Sequence, residues 1–135
     1  MERIALDTTF LIDLQNEGRR RGAPRGAVAF LQANTETELL LPVVALAEYL
    51  EGFDDPGSTV AQSLIAPLRL LPVTADVARL YAKTARGLRK RGRLIGSNDL
   101  WIACTAQAAE LPIVTRNVDE FRRVAGLRVL DYTTE

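Results

Sequence analysis

Five short stretches of the chain are apolar at nearly every position. Strands with one solvated face alternate apolar and polar residues, whereas continuous apolar runs are typical of parallel strands covered on both faces. The predicted strands are residues 3–7, 38–43, 69–73, 111–115 and 127–131.

Between these stretches, apolar residues recur at helical spacing. The predicted helices are residues 9–16, 23–34, 44–51, 59–68, 75–91, 98–110 and 118–124. Ser97 is expected to cap the sixth of these helices. Strands that alternate with helices predict an α/β fold with right-handed crossovers. Because there is no repeat and no long linker, we expect a single domain over residues 1–135.

The composition is that of a soluble globular domain. The chain has 135 residues, of which 47% are hydrophobic and 25% charged, enough for one core. No apolar run reaches the roughly 18 residues of a membrane span, and the charged start does not resemble a signal peptide. The single cysteine, Cys104, rules out an internal disulfide, which favours a cytoplasmic location.

The chain contains no histidine. This absence excludes Ser-His-Asp triads, histidine-based ribonuclease chemistry and the common zinc sites. A catalytic metal would need oxygen ligands, which favours hard cations such as Mg²⁺ or Mn²⁺.

Charges balance overall but are unevenly distributed. Residues 79–93 contain seven basic residues and no acid, while residues 36–55 contain six acids and no basic residue. Arginine dominates the basic segment, and its forked guanidinium suits phosphate contacts. Taken alone, such a segment is more commonly a solvated charged face of a helix.

Carboxylates follow the predicted strands in a consistent way. Asp7 ends the first strand, Glu48 lies early in the helix after the second strand, and Asp99 begins the helix that precedes the fourth. In a parallel sheet these positions meet at the carboxyl edge of the strands. Singly, each acid could be a helix cap, an exposed helical residue or a dipole-stabilised first-turn acid. Together they would repel one another without a cation, which favours a metal site.

Four motifs of the chain together resemble the PIN-domain nucleases, most closely the VapC-like toxins of toxin–antitoxin pairs. They are ALDTTFLIDL, PVVALAEYLEG, IGSNDLWIACTAQA and LPIVTRNVDEF, and they span nearly the whole chain in the order found in that family. The resemblance implies a three-layer α/β/α fold with a mainly parallel sheet of about five strands. It also implies a Mg²⁺- or Mn²⁺-dependent endoribonuclease that acts as the toxin of a type II pair.

The resemblance assigns roles to individual acids. Asp7, Glu48 and Asp99 would be the catalytic metal ligands. The place where relatives commonly carry a fourth acid holds Asn117, an amide that many relatives share, so one or two metals remain possible. Asp119 could compensate for the missing charge.

Supporting and RNA-binding roles follow from the same resemblance. Thr9 and Thr115 would supply hydroxyl groups to the carboxylates or to metal-bound water. A metal-activated water would cleave the RNA backbone, leaving a 5′-phosphate and a 3′-hydroxyl. The residues expected to contact RNA are Arg86, Arg89, Arg91, Arg93 and Arg116.

The implied partners are an RNA substrate, a VapB-like antitoxin and a second copy of the chain. Apolar residues on the helices at 23–34 and 44–51 are compatible with a dimer or a bound antitoxin segment. One alternative is a non-catalytic or weakly catalytic binding module of the same fold, favoured only by Asn117. Another is a housekeeping RNA-processing nuclease without an antitoxin. Haloacid-dehalogenase and receiver-domain folds fit poorly, because Thr9 stands where the first of these requires a second acid.

Overall fold

A computed structural model describes residues 2–19 and 24–133. Within these residues, each of the five predicted strands is present inside its predicted range. The strands are β1 (Arg3–Leu6), β2 (Glu38–Pro42), β3 (Arg69–Leu71), β4 (Ile113–Thr115) and β5 (Val129–Asp131).

The seven predicted helices are also present in the described part of the chain. They are α1 (Thr8–Gly18), α2 (Ala27–Ala33), α3 (Val43–Glu51), α4 (Thr59–Ile65), α5 (Ala75–Lys90), α6 (Ser97–Ala108) and α7 (Val118–Phe121). The longest has 16 residues. Among the described residues, none of the helices is both long enough and apolar enough to cross a membrane.

Four helix starts differ from the prediction, those of α1, α3 and α6 by one residue and that of α2 by four. The second helix was expected from residue 23, which lies outside the described residues, but α2 begins at Ala27. Gly26 precedes it with a φ of +92°, a left-handed conformation that cannot continue a right-handed helix. Ser97 is the first residue of α6 and not its cap, since Gly96 occupies the cap position without a side-chain hydrogen bond.

All strand pairs in the sheet are parallel, in the order β3-β2-β1-β4-β5. The first strand is therefore central, with Ile4 beside Leu39 of β2 and Leu6 beside Val114 of β4. Because the strands run in one direction, the residues that follow them collect at one edge of the sheet. The sequence prediction of a parallel five-stranded sheet is confirmed.

Helices cover both faces of this sheet. Consecutive residues of β4, such as Ile113 and Val114, point to opposite faces, and both are fully buried. Helix α6 packs closely because its buried positions include the small residues Ala103 and Ala106. The polar helix α5 lies on α6, where the ring of Tyr81 stacks on Trp101 at 3.9 Å between centroids. This packing fixes the start of α6 at the sheet edge.

Candidate metal centre

Asp7 lies at the carboxyl end of the central strand and is only 1% exposed. Its Oδ1 accepts a hydrogen bond from the Thr8 amide at 2.7 Å, so it also caps α1. Its Oδ2 accepts hydrogen bonds from the hydroxyls of Thr9 at 3.0 Å and Thr115 at 2.7 Å. Burial raises the pKa of the Asp7 carboxyl, while these three donors act in the opposite direction. The carboxylate is held in one orientation, with its charge only partly compensated.

Glu48 lies in the second turn of α3, the helix that follows β2 without a loop. Its Oε1 accepts a hydrogen bond from the Thr8 hydroxyl at 2.7 Å, and its Oε2 accepts one from the Asn98 amide at 3.2 Å. These donors come from the starts of α1 and α6. They fix the Glu48 carboxylate between the two helices.

Asp99 occupies the first turn of α6 and is half-buried. Its Oδ2 accepts a hydrogen bond from the Asn117 amide at 3.2 Å. Burial is the main cause that raises the pKa of Asp99 to about 7, and the negative charge of Asp7 is the next cause. A hydrogen bond to Glu120 acts in the same direction. Without a cation, this carboxyl is therefore partly protonated at neutral pH.

The three acids form one cluster. A carboxylate oxygen from each of Asp7, Glu48 and Asp99 lies within 4.8 Å of the other two. Oxygen ligands of one Mg²⁺ are about 3 Å apart when adjacent and about 4 Å apart when opposite, so the three carboxylates would move inward to bind the ion. An all-oxygen, anionic ligand set suits a hard divalent cation, which would relieve the mutual repulsion. The cluster thus fits the metal that the sequence predicts.

Around Asn117, the supporting acid differs from the expected one. The Asn117 Nδ2 donates to Asp99 and, at 3.1 Å, to Glu120. The side chain of Asp119 is exposed and has no hydrogen bond or ion pair with another described residue. Glu120, and not Asp119, is therefore the acid that reaches this corner. Asn117 acts on Asp99 as a donor, and its role as a metal ligand stays a prediction.

The arginines predicted to contact RNA fall into two groups. Arg86 and Arg89 are exposed on α5, and Arg91 and Arg93 are exposed in the turn that leads to α6. In the described part of the chain, none of these four forms an ion pair. The fifth, Arg116, follows β4 at the edge of the centre and pairs with a buried acid. The RNA contacts of all five remain predictions.

Three residues that hold the acidic cluster were not predicted from the sequence. Thr8 directly follows Asp7 in the sequence, and Asn98 directly precedes Asp99, yet each donates a hydrogen bond to Glu48. Glu120 follows Asn117 by three residues, the spacing of one helical turn. Two sequence signals would have found them. One is a polar residue beside a candidate acid at a helix start, and the other is an acid one helical turn after a candidate ligand.

A cleft of about 430 Å³ opens beside Glu48. It lies between α1 and α3 and is lined by polar side chains, including Asn16 and Arg19, together with Phe53. The Tyr49 hydroxyl donates to Gln15 at 2.6 Å across the base of this region. The cleft provides space for a substrate next to the acidic cluster.

Comparison with known families gives a match over almost the whole chain. Residues 4–127 match the PIN domain. The chain belongs to the PIN domain family. This PIN domain is 34% identical over 135 residues to Ribonuclease VapC1 of Haemophilus influenzae strain R2866, with 95% of the chain and 96% of the relative covered. It is 39% identical over 91 residues to Ribonuclease VapC5 of Mycobacterium tuberculosis, with 62% of the chain and 67% of the relative covered.

Solved structures of other proteins share the fold of this PIN domain. VapBC-1 from nontypeable Haemophilus influenzae has a TM-score of 0.77 and 28% identity, with 98% of the PIN domain and 99% of that chain covered. VapBC2 from Rickettsia felis, bound to a DNA fragment from its promoter, has a TM-score of 0.80 and 23% identity, with 96% and 98% covered. At 23% identity the second comparison bears on the fold alone. The family resemblance and the fold class expected from the sequence are both confirmed.

Proposed function

We propose that this PIN domain is a metal-dependent endoribonuclease that hydrolyses RNA phosphodiester bonds. The observation that carries the proposal is the convergence of Asp7, Glu48 and Asp99, which come from three distant parts of the chain, on one point at the sheet edge. Its likeness to proteins named ribonucleases supports RNA as the substrate.

The chain's own residues contribute to catalysis by holding the three carboxylates in place as metal ligands. Three donors fix Asp7, while Thr8 and Asn98 fix Glu48, so both carboxylates are preorganised. Asn117 holds Asp99. When bound, Mg²⁺ or Mn²⁺ supplies a water of lowered pKa and offsets charge on the phosphate. The chain needs no imidazole acid or base for such hydrolysis, which is consistent with its lack of histidine.

Cleavage of RNA by the purified protein, with Mg²⁺, with Mn²⁺ and with excess chelator, tests the proposal. We expect cleavage only with the metals, and its loss in Asp7→Asn and Asp99→Asn while circular dichroism shows an intact fold. Asp119→Asn, the same change at an exposed acid outside the cluster, is the control and should leave cleavage intact. Equal cleavage in chelator would overturn the assignment, and RNA binding without cleavage would favour a non-catalytic module.

The proposed role in the cell is that of a cytoplasmic toxin with a protein antitoxin. Two features support it: the related structures are toxin–antitoxin complexes, and an apolar groove of about 360 Å³ runs between α1, α2 and α4. Leu14, Leu31 and Leu64 line this groove, and Val28 beside them is 36% exposed. An amphipathic helix of an antitoxin would cover such a surface.

Expression in a bacterial host tests the toxin role. Growth arrest that is relieved by the product of an adjacent gene is the expected result, whereas the Asp99→Asn protein should not arrest growth. Cleavage in vitro without growth arrest or an antitoxin would favour a housekeeping nuclease. Size-exclusion chromatography with light scattering tests the homodimer that we also propose.

A further inference from the structure

We propose that Arg25 and Arg116, oriented by the buried carboxylate of Asp13, form a subsite for a backbone phosphate of RNA beside the metal centre. This inference rests on the proposed nuclease function and deepens it. It assigns a role to a charged cluster that metal binding by Asp7, Glu48 and Asp99 leaves unused.

Asp13 is a buried acid outside the metal cluster. It lies on α1, six residues after Asp7, and is 2% exposed. Its Oδ2 accepts a hydrogen bond from the Tyr132 hydroxyl and lies 3.1 Å from the Nε of Arg116. Its Oδ1 lies 3.8 Å from the Nε of Arg25. Three segments far apart in sequence thus meet at one carboxylate, because a buried charge is stable only when it is paired and hydrogen-bonded.

The charges of this cluster do not cancel. One carboxylate faces two guanidinium groups, so the cluster keeps a net positive charge. The side chains of Arg116 and Arg25 are 36% and 55% exposed, whereas that of Asp13 is 3% exposed. The anion is therefore hidden and the cations face solvent. A guanidinium held through one nitrogen can present its remaining donors to phosphate oxygens.

The cluster is connected to the metal centre by hydrogen bonds. The backbone N–H of Arg116 donates to the Thr9 hydroxyl at 3.2 Å, and that hydroxyl donates to Asp7 at 3.0 Å. Arg116 is therefore two hydrogen bonds from a proposed metal ligand. Before metal binds, the acidic cluster repels the RNA backbone. Guanidinium groups fixed beside the cluster would help to hold the RNA there. A phosphate adjacent to the cleaved one is the expected ligand.

A purely structural role for Asp13 makes a different prediction. If Asp13 only tied the C-terminal segment to α1, Asp13→Asn would remove a negative charge near the RNA and strengthen RNA binding. If Asp13 orients the two arginines, the same change weakens binding, because the guanidinium groups lose their fixed positions. The sign of the effect therefore separates the two roles.

The test uses an Asp99→Asn parent protein in chelator, so that RNA is bound but not cleaved. Fluorescence anisotropy of a labelled single-stranded RNA oligonucleotide gives the affinity at several salt concentrations. We expect Arg116→Ala and Arg25→Ala each to weaken binding several-fold and to reduce the slope of log affinity against log salt by about 0.7, the value for one lost phosphate contact. Asp13→Asn should also weaken binding. Adding it to the double variant Arg25→Ala/Arg116→Ala should have little further effect, because both arginines that Asp13 orients are then absent.

Arg128→Ala is the matched control, because Arg128 is exposed and precedes β5 at the opposite edge of the sheet. Its salt slope should equal that of the parent. Arg116→Lys, which keeps the charge but not the fork, should retain only part of the affinity.

Unchanged slopes in both arginine variants, or tighter binding by Asp13→Asn, would overturn the subsite. Thermal unfolding checks that Asp13→Asn folds; if it does not, the variants of the two solvent-exposed arginines decide the question. A parent that binds no RNA overturns the subsite, while the nuclease function is decided separately by the cleavage assay with Mg²⁺ or Mn²⁺. A parent that binds RNA with slopes insensitive to these arginines overturns the subsite alone.

Discussion

Asp99→Asn is expected to stabilise the metal-free protein at neutral and alkaline pH while it removes a proposed metal ligand. The asparagine has the same shape, keeps an oxygen that accepts from Asn117 and gains an amide that can donate to Glu120. It removes the charge that Asp7 and Glu48 repel. Stability and metal binding are thus opposed at this position.

The sign follows from the pKa. Unfolded, the Asp99 carboxyl loses its proton near its ordinary pKa of 3.8, whereas burial and neighbouring charges raise the pKa to about 7 in the folded state. Between these values the folded state binds more protons, so the free energy of unfolding falls as the pH rises from about 4 to about 7. Full conversion at about 1.4 kcal/mol per pH unit would give about 4 kcal/mol. Because the side chain is only half-buried, water screens it, and we expect about 1–2 kcal/mol.

Urea unfolding in chelator at pH 5 and pH 8 measures this difference. The gain of Asp99→Asn over the natural chain should be small at pH 5 and reach its full size at pH 8. Glu120→Gln should lower the pH at which the fall in stability ends, because Glu120 raises the pKa of Asp99 in the folded state. Asp119→Asn, the same change at an exposed acid of α7, is the control for this measurement.

Magnesium gives a second, independent readout. Millimolar Mg²⁺ should stabilise the natural chain by mass action and leave Asp99→Asn unchanged. A variant that is less stable than the natural chain at pH 8, or whose gain is equal at pH 5 and pH 8, would show that Asp99 is not destabilised by its neighbours.

Two further substitutions test the hydrogen bonds that hold Asp7 and the backbone conformation that precedes α2. Thr115→Val should lower the free energy of unfolding by about 1–3 kcal/mol and weaken Mg²⁺ binding, because the fully buried hydroxyl donates to Asp7 and accepts from the backbone N–H of Asn117. In urea unfolding, Thr105→Val should lower the free energy of unfolding less, since that hydroxyl donates to the Trp101 carbonyl oxygen of its own helix; equal losses would contradict the role of Thr115. Gly26→Ala should cost more than the roughly 1–2 kcal/mol of its left-handed conformation, because the new methyl would lie 2.4 Å from the Tyr132 carbonyl oxygen. Gly92→Ala, also at positive φ but with open space, should lose only the conformational part, and an equal melting temperature for the two variants would refute the clash.

The strand pattern and the main acids could be read from the sequence because they depend on local order. Continuous apolar runs identify parallel strands covered on both faces, and all five lie where they were predicted. Asp7 directly follows the first of these strands. The prediction that Asp7, Glu48 and Asp99 meet required only the rule that parallel strands end at one edge. The distances among their carboxylates agree with it.

Helix starts and the donors around the acids were harder to predict. The start of α2 depends on the left-handed conformation of Gly26, which a glycine permits but does not require. Thr8 could donate to either carboxylate near it, and only the position of α3 beside α1 directs its hydroxyl to Glu48. Likewise, Glu120 and Asp119 are equivalent by composition, and the direction of α7 decides which one faces Asn117.

The sequence alone determined the fold class, the family and the identity of the acids, because periodicity and residue order are properties of a one-dimensional chain. Tertiary structure decided which polar groups hold those acids and how strongly burial perturbs them. It also brought Asp13, Arg25, Arg116 and Tyr132 together, residues separated by up to 119 positions. Hydrogen bonds and desolvation act over a few ångströms in space, and a distance of that kind exists only once the helices have packed on the sheet.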